Sequence, residues 1–112
     1  MSTSASEDSW IYSTFGDDPD LGELVEMFVD EMEQRIASFQ NAFEQGDLNT
    51  LGTLAHQLKG AAGSYGFNQL TPAAFDLEQS ARSRSSAEAI EASLDRLTQL
   101  CQRTRAGAPD NA

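Results

Sequence analysis

Leu48-Asn49-Thr50-Leu51-Gly52-Thr53-Leu54-Ala55-His56-Gln57-Leu58-Lys59-Gly60-Ala61-Ala62-Gly63-Ser64-Tyr65-Gly66 reads as one amphipathic helix. Leu48, Leu51, Ala55, Leu58, Ala62 and Tyr65 recur at intervals of three and four, which lines them up on a single seam. Asp47 precedes the run as a good N-cap, and Gly66 follows it as a good C-terminal stop.

The same spacing recurs on both sides. A long helix is expected from near Asp20, with Glu23 as its capping-box partner and Gly46 as its end. Its apolar face is Leu21, Leu24, Val25, Phe28, Met32, Ile36, Phe39 and Phe43. Downstream, Thr71 is the expected cap of a helix with Pro72 in its first turn and Ala74, Leu77 and Ala81 facing inward. Ser85 and Glu88 form a second expected capping box, opening a helix along Ile90, Leu94, Leu97, Cys101 and Thr104. Strand-type alternation is absent. Short connections favour antiparallel neighbours, so the expected fold is all-α, an up-down-up-down four-helix bundle.

The bundle is expected over residues 9–105 as one domain, with no internal repeat. The small polar residues of 1–8 and 106–112 are expected to be disordered ends. Trp10-Ile11-Tyr12-Ser13-Thr14-Phe15 is too apolar to be solvated and is expected to pack over the bundle; the pattern assigns it no conformation. The initiating methionine and polar ends favour a free-standing protein.

Charge is unevenly divided. The 112 residues carry a net charge of −11, from 18 acids and 7 bases. Residues 1–50 hold 12 of the acids and one base, Arg35, whereas 51–112 hold six of each. No basic cluster is available to neutralise nucleic-acid phosphates. No apolar run approaches a membrane span, and the N-terminus lacks signal-peptide regions. The lone Cys101 precludes an intrachain disulfide, and one cysteine with one histidine cannot build a usual structural zinc site. A reducing cytoplasm is the expected setting, and no metal or cofactor is expected on this chain.

His56 is the only histidine. At about 100° per residue it lies some 130° from the centre of its helix's seam, so it should face outward. Gly60 and Gly63 flank it, and Gly52 lies one turn below. Each helical glycine costs about 0.5–1 kcal/mol relative to alanine. The three together suggest space kept open beside the imidazole for another body. Lys59, one turn above, would favour an anionic approaching group. Neutral imidazole is a good nitrogen nucleophile near neutral pH, in-line attack on phosphorus needs clearance, and a lysine can screen the equatorial oxygens. Taken singly, each residue has an ordinary reading: a surface histidine, packing glycines, a solvated lysine. Gly52 in particular could simply ease helix–helix contact. Their clustering on one outer strip favours a phosphoryl-accepting histidine. No phosphate-binding glycine loop is present, so the chain shows no means of using ATP itself.

His56-Gln57-Leu58-Lys59-Gly60, continued through Gly63 to Gly66, resembles the signature of histidine-containing phosphotransfer domains. Leu24 and Phe28, Asp47 and Leu51, and the pair Leu77-Glu78 extend the likeness in the right order over about residues 20–85. The resemblance implies a phosphorelay intermediate. His56 would take a phosphoryl group on Nε2 from a receiver domain's phosphoaspartate and pass it to another receiver. It also implies that Lys59 stabilises phosphohistidine, and that Gly52, Gly60 and Gly63 give clearance for the docking receiver. The magnesium ion would belong to the receiver, the other partner could be a hybrid histidine kinase, and the chain would act as a monomer. The main alternative is a non-catalytic bundle that docks a partner helix without phosphate chemistry. An inert relative that binds a receiver without transferring, and an independent acid–base enzyme, fit the residues less well.

Overall fold

A computed structural model of the chain describes residues 10–107. The expectations for 1–8 and for 108–112 lie outside them. Five helical segments run α1 (Gly22–Asp30), α2 (Met32–Glu44), α3 (Leu48–Ser64), α4 (Leu70–Arg82) and α5 (Ala87–Gln102). Two short strands, β1 (Ile11–Tyr12) and β2 (Thr104–Arg105), pair in parallel. The fold is the expected four-helix bundle, its first rod being α1 and α2 in succession.

That rod was expected unbroken. It loosens at Glu31, whose N–H is shared between the Met27 and Phe28 carbonyls at 3.1 and 3.3 Å, while Arg35 N–H still bonds Glu31 O at 3.0 Å. Hydrogen bonding therefore carries through the break. Val25, Phe28, Met32, Phe39 and Ala42 turn inward, but Leu24 is 41% exposed despite its helical spacing.

Three caps differ from expectation by one or two residues. The cap position of α1 is Leu21, not Asp20, and carries no side-chain bond; Asp18 Oδ1 closes the turn ahead of it, accepting from the N–H groups of Asp20 and Leu21 at 2.7 and 3.0 Å. Ser86 rather than Ser85 caps α5, accepting from Ala89 N–H at 3.1 Å. Thr71 lies inside α4, whose cap position is Gln69 and carries no side-chain bond. Of the three, only Ser86 meets free N–H groups of its helix with its side chain, because the loop's path decides which neighbour occupies that turn. Asp47 caps α3 as expected, with Oδ1 accepting from Thr50 N–H at 3.1 Å.

Gly46 and Gly66 both take left-handed backbone, φ +70° and +82°, where a side chain would be strained. Beyond Gly66, the Phe67 N–H returns to Ala62 O at 2.8 Å and the ring is fully buried. Phe67 is a core residue that helical periodicity does not find, because it belongs to the turn. Thr104, expected on the last helix, is buried in β2 instead.

Residues 10–15 do pack over the bundle. Ile11 is buried and its N–H bonds Arg103 O at 2.8 Å. Ser13 Oγ donates to Tyr65 O, and Thr14 N–H to Gly66 O at 3.1 Å. The strap thus ties the end of α3 to the segment after α5. Gly16 lies so close to the Gly107 carbonyl that no Cβ would fit, and Ala106 and Gly107 are half-buried there rather than part of a tail.

Candidate functional site

The most extensive helix–helix contact joins α3 to α4. Its residues are small: Gly52, Ala55 and Ala62 on α3, and Ala73, Ala74 and Ala81 on α4, all buried. The polar and charged side chains of the two helices gather along the rim of this seam.

His56 projects from α3 with its side chain 59% exposed, outward as its helical angle predicts. Its Nδ1 lies 3.0 Å from Glu78 Oε2 on α4. A carboxylate only accepts, so the proton belongs on Nδ1 and the lone pair on Nε2. Glu78 has a side chain only 5% exposed, and three cationic or proton-bearing groups meet it. Lys59 Nζ donates to Oε1 at 2.8 Å, and Arg82 Nη2 pairs with Oε2 at 3.3 Å. The Lys59 hydrogen bond, aided by the His56 bond and the Lys59 and Arg82 charges, holds the Glu78 carboxyl below its ordinary value of 4.5, with burial acting in the opposite direction. The group is an anion at neutral pH.

Lys59 is therefore not a free ammonium beside the imidazole. It is fixed to Glu78 and lies 5.3 Å from the Phe75 ring centroid. Gly60 and Gly63 are exposed, and a Cβ built on either would meet no atom within 4 Å. The bare strip exists at these two positions.

Gly52 requires a correction. It is buried, and a Cβ there would meet Arg82 Cγ at 3.2 Å, Arg82 Nε at 3.4 Å and Ala81 Cβ at 3.8 Å. The space it leaves is filled by this chain's own α4, not held open for a partner. Helical angle alone could not show this, since it locates a residue on its own helix and says nothing of where the neighbouring helix crosses.

Glu78 and Arg82 are the residues beside the imidazole that local pattern does not nominate. The only sequence signal for Glu78 is its place in the Leu77-Glu78 pair of the resemblance. Arg82 follows one turn later on the same face, at the spacing where a helix brings side chains together.

Among the described residues, no three His, Cys, Asp or Glu side chains are grouped so as to hold a metal ion. None of the helices described is long and apolar enough to cross a membrane.

One outward imidazole, bonded at Nδ1 to a shielded carboxylate that two cations also meet, thus stands on the rim of a four-helix bundle. The chain belongs to the Hpt domain family, whose sequence model matches residues 23–107. It is a histidine phosphotransfer module of the phosphorelay type. No curated protein and no solved structure matches it.

Proposed function

We propose that His56 is the phosphoryl acceptor, taking the group from a receiver domain's phosphoaspartate and passing it to another receiver's aspartate. The observation that carries this is the 3.0 Å contact from His56 Nδ1 to Glu78 on an imidazole otherwise open to solvent. The Nε2 lone pair attacks phosphorus as the acyl-phosphate P–O bond breaks, and its electrons leave on the aspartate carboxylate. The imidazole then carries a formal positive charge, with its Nδ1 proton held by Glu78. Onward transfer reverses these steps, with the N–P bond breaking toward a new carboxylate. The magnesium ion that assists at the acyl phosphate is assigned to the receiver.

Docking is assigned to the outer face of α3. Gly60 and Gly63 let another surface come close, and exposed Phe75 on the α4 side and Leu24 and Met27 on the α1 side supply apolar contacts. A monomer acting in the cytoplasm is the working form of this proposal.

Intact-mass spectrometry tests it. The protein is mixed with phosphorylated receivers from its own organism at mildly alkaline pH, beside His56→Gln. One acid-labile phosphoryl group on the wild type alone is the expected result. Binding without any mass gain would instead favour a non-catalytic docking bundle.

A further inference from the structure

Gly52 and Arg82 form a fitted pair. Gly52 lies one turn before His56 on α3, and the arginine stem from α4 rests on the backbone where the Cβ is missing. That path brings Arg82 Nη2 within 3.3 Å of Glu78 Oε2, the same oxygen that accepts from His56 Nδ1. The guanidinium and the imidazole thus meet at one carboxylate oxygen, while Lys59 holds the other.

The two cations differ in freedom. Lys59 has a side chain 27% exposed, bonded to Glu78 at 2.8 Å and lying over Phe75. Arg82 is 55% exposed, its pairing with Glu78 is longer, and among the described residues it makes no other ion pair. A phosphoryl group on Nε2 would bring nearly two negative charges and three strong acceptors to this spot. A planar guanidinium can meet two of those oxygens at once, which a point-charge ammonium already committed elsewhere cannot.

We propose that Arg82, seated against α3 by Gly52, is a phosphoryl-binding residue that engages the group once it is on His56. This rests on the assignment of His56 as acceptor. It also gives Gly52 a role different from clearance: the glycine sets where the arginine lies.

The test loads the full-length protein with phosphoramidate, a small phosphoryl donor, so that no receiver is needed. Wild type, Arg82→Ala, Arg82→Lys and Gly52→Ala are then compared by 31P NMR titration of the phosphohistidine. Losing a bound guanidinium should move the phosphoryl protonation upward by roughly 0.5 pH unit in Arg82→Ala. Arg82→Lys should recover part of that shift. Gly52→Ala should show a shift in the same direction while its thermal unfolding is unchanged or raised, since alanine is the better helix residue.

A purely structural role for Arg82 makes the opposite forecast: no change in the 31P titration, and altered unfolding only. That outcome overturns the proposal. If phosphoramidate loads His56 but no receiver does, the relay assignment fails while the Arg82 result still stands or falls on its own titration. If phosphoramidate loads nothing, both are wrong.

Discussion

Outside the core, α1 and α2 expose Glu23, Glu26, Asp30, Glu33 and Glu44 to solvent, whereas α3 has no acid among its 17 residues. Both bury apolar side chains on their inner faces, with Phe28 and Phe39 on the α1–α2 rod and only leucine and alanine on α3. Of those five carboxylates, none has a salt bridge among the described residues, whereas Glu78 beside α3 holds His56, Lys59 and Arg82. The contrast teaches that charge serves two ends in one small domain. On the α1–α2 rod it is solvated and interchangeable. Along α3 negative charge is absent, and the acid that lies against that helix, Glu78, is met by three partners.

The sharpest way to break this contrast is to fill the bare strip. Gly60→Leu should slow transfer from a phosphorylated receiver by about 10–100-fold while far-UV circular dichroism stays unchanged, because the added bulk displaces the reacting groups without disturbing the core. The matching change on the other rod, Ala37→Leu at an exposed position of α2, should leave the rate alone. Equal rates for wild type and Gly60→Leu, measured by rapid quench, would remove clearance from the account.

A smaller effect is expected from the acids themselves. Glu78→Ala frees two partly exposed cations and should lower stability by about 1 kcal/mol in urea unfolding, against about 0.5 kcal/mol or less for the solvated Glu33→Ala. Indistinguishable midpoints for the two variants would mean that the Glu78 network contributes no more than a surface charge.

That difference should also depend on pH in a defined direction. Because the Glu78 carboxyl is held below its ordinary 4.5, its contribution is complete above that value and lost as pH falls through the lower folded-state value. The urea midpoints of wild type and Glu78→Gln should therefore keep a constant separation from pH 8 to 5 and converge only in more acidic solution. Convergence already near neutrality would contradict the assigned ionisation.

The smallest effect lies on α5. Cys101 is 1% exposed and burial pushes its thiol up to about 12. Alkylation by iodoacetamide at pH 8 should proceed only as fast as the protein opens, and become rapid in denaturant. Prompt labelling of the folded protein would show that the α5 packing is looser than its burial indicates.

Much of the fold was legible because helix formation is local. Periods of three and four place the seam residues, and Gly46, Asp47 and Gly66 mark ends whose backbone geometry favours those residue types. A cap slips where alternatives adjoin, as with Ser86 for Ser85, because the loop's course decides which side chain meets the free N–H groups. The strap's pairing of β1 with β2 was not legible at all, since two-residue strands carry no period and form only where the bundle brings both ends of the chain together.

For the site, the sequence by itself determined an outward histidine, an open strip at Gly60 and Gly63 and an acid-free α3, all properties of one helix and its angular spacing. Only the tertiary structure decided that Glu78, 22 residues away, sets the proton on Nδ1, that Lys59 is committed to that carboxylate, and that Gly52 receives Arg82. The physical reason is that these contacts depend on how closely two helices pack and at what register. Neither quantity is a property of one helix, so no periodicity within α3 carries it.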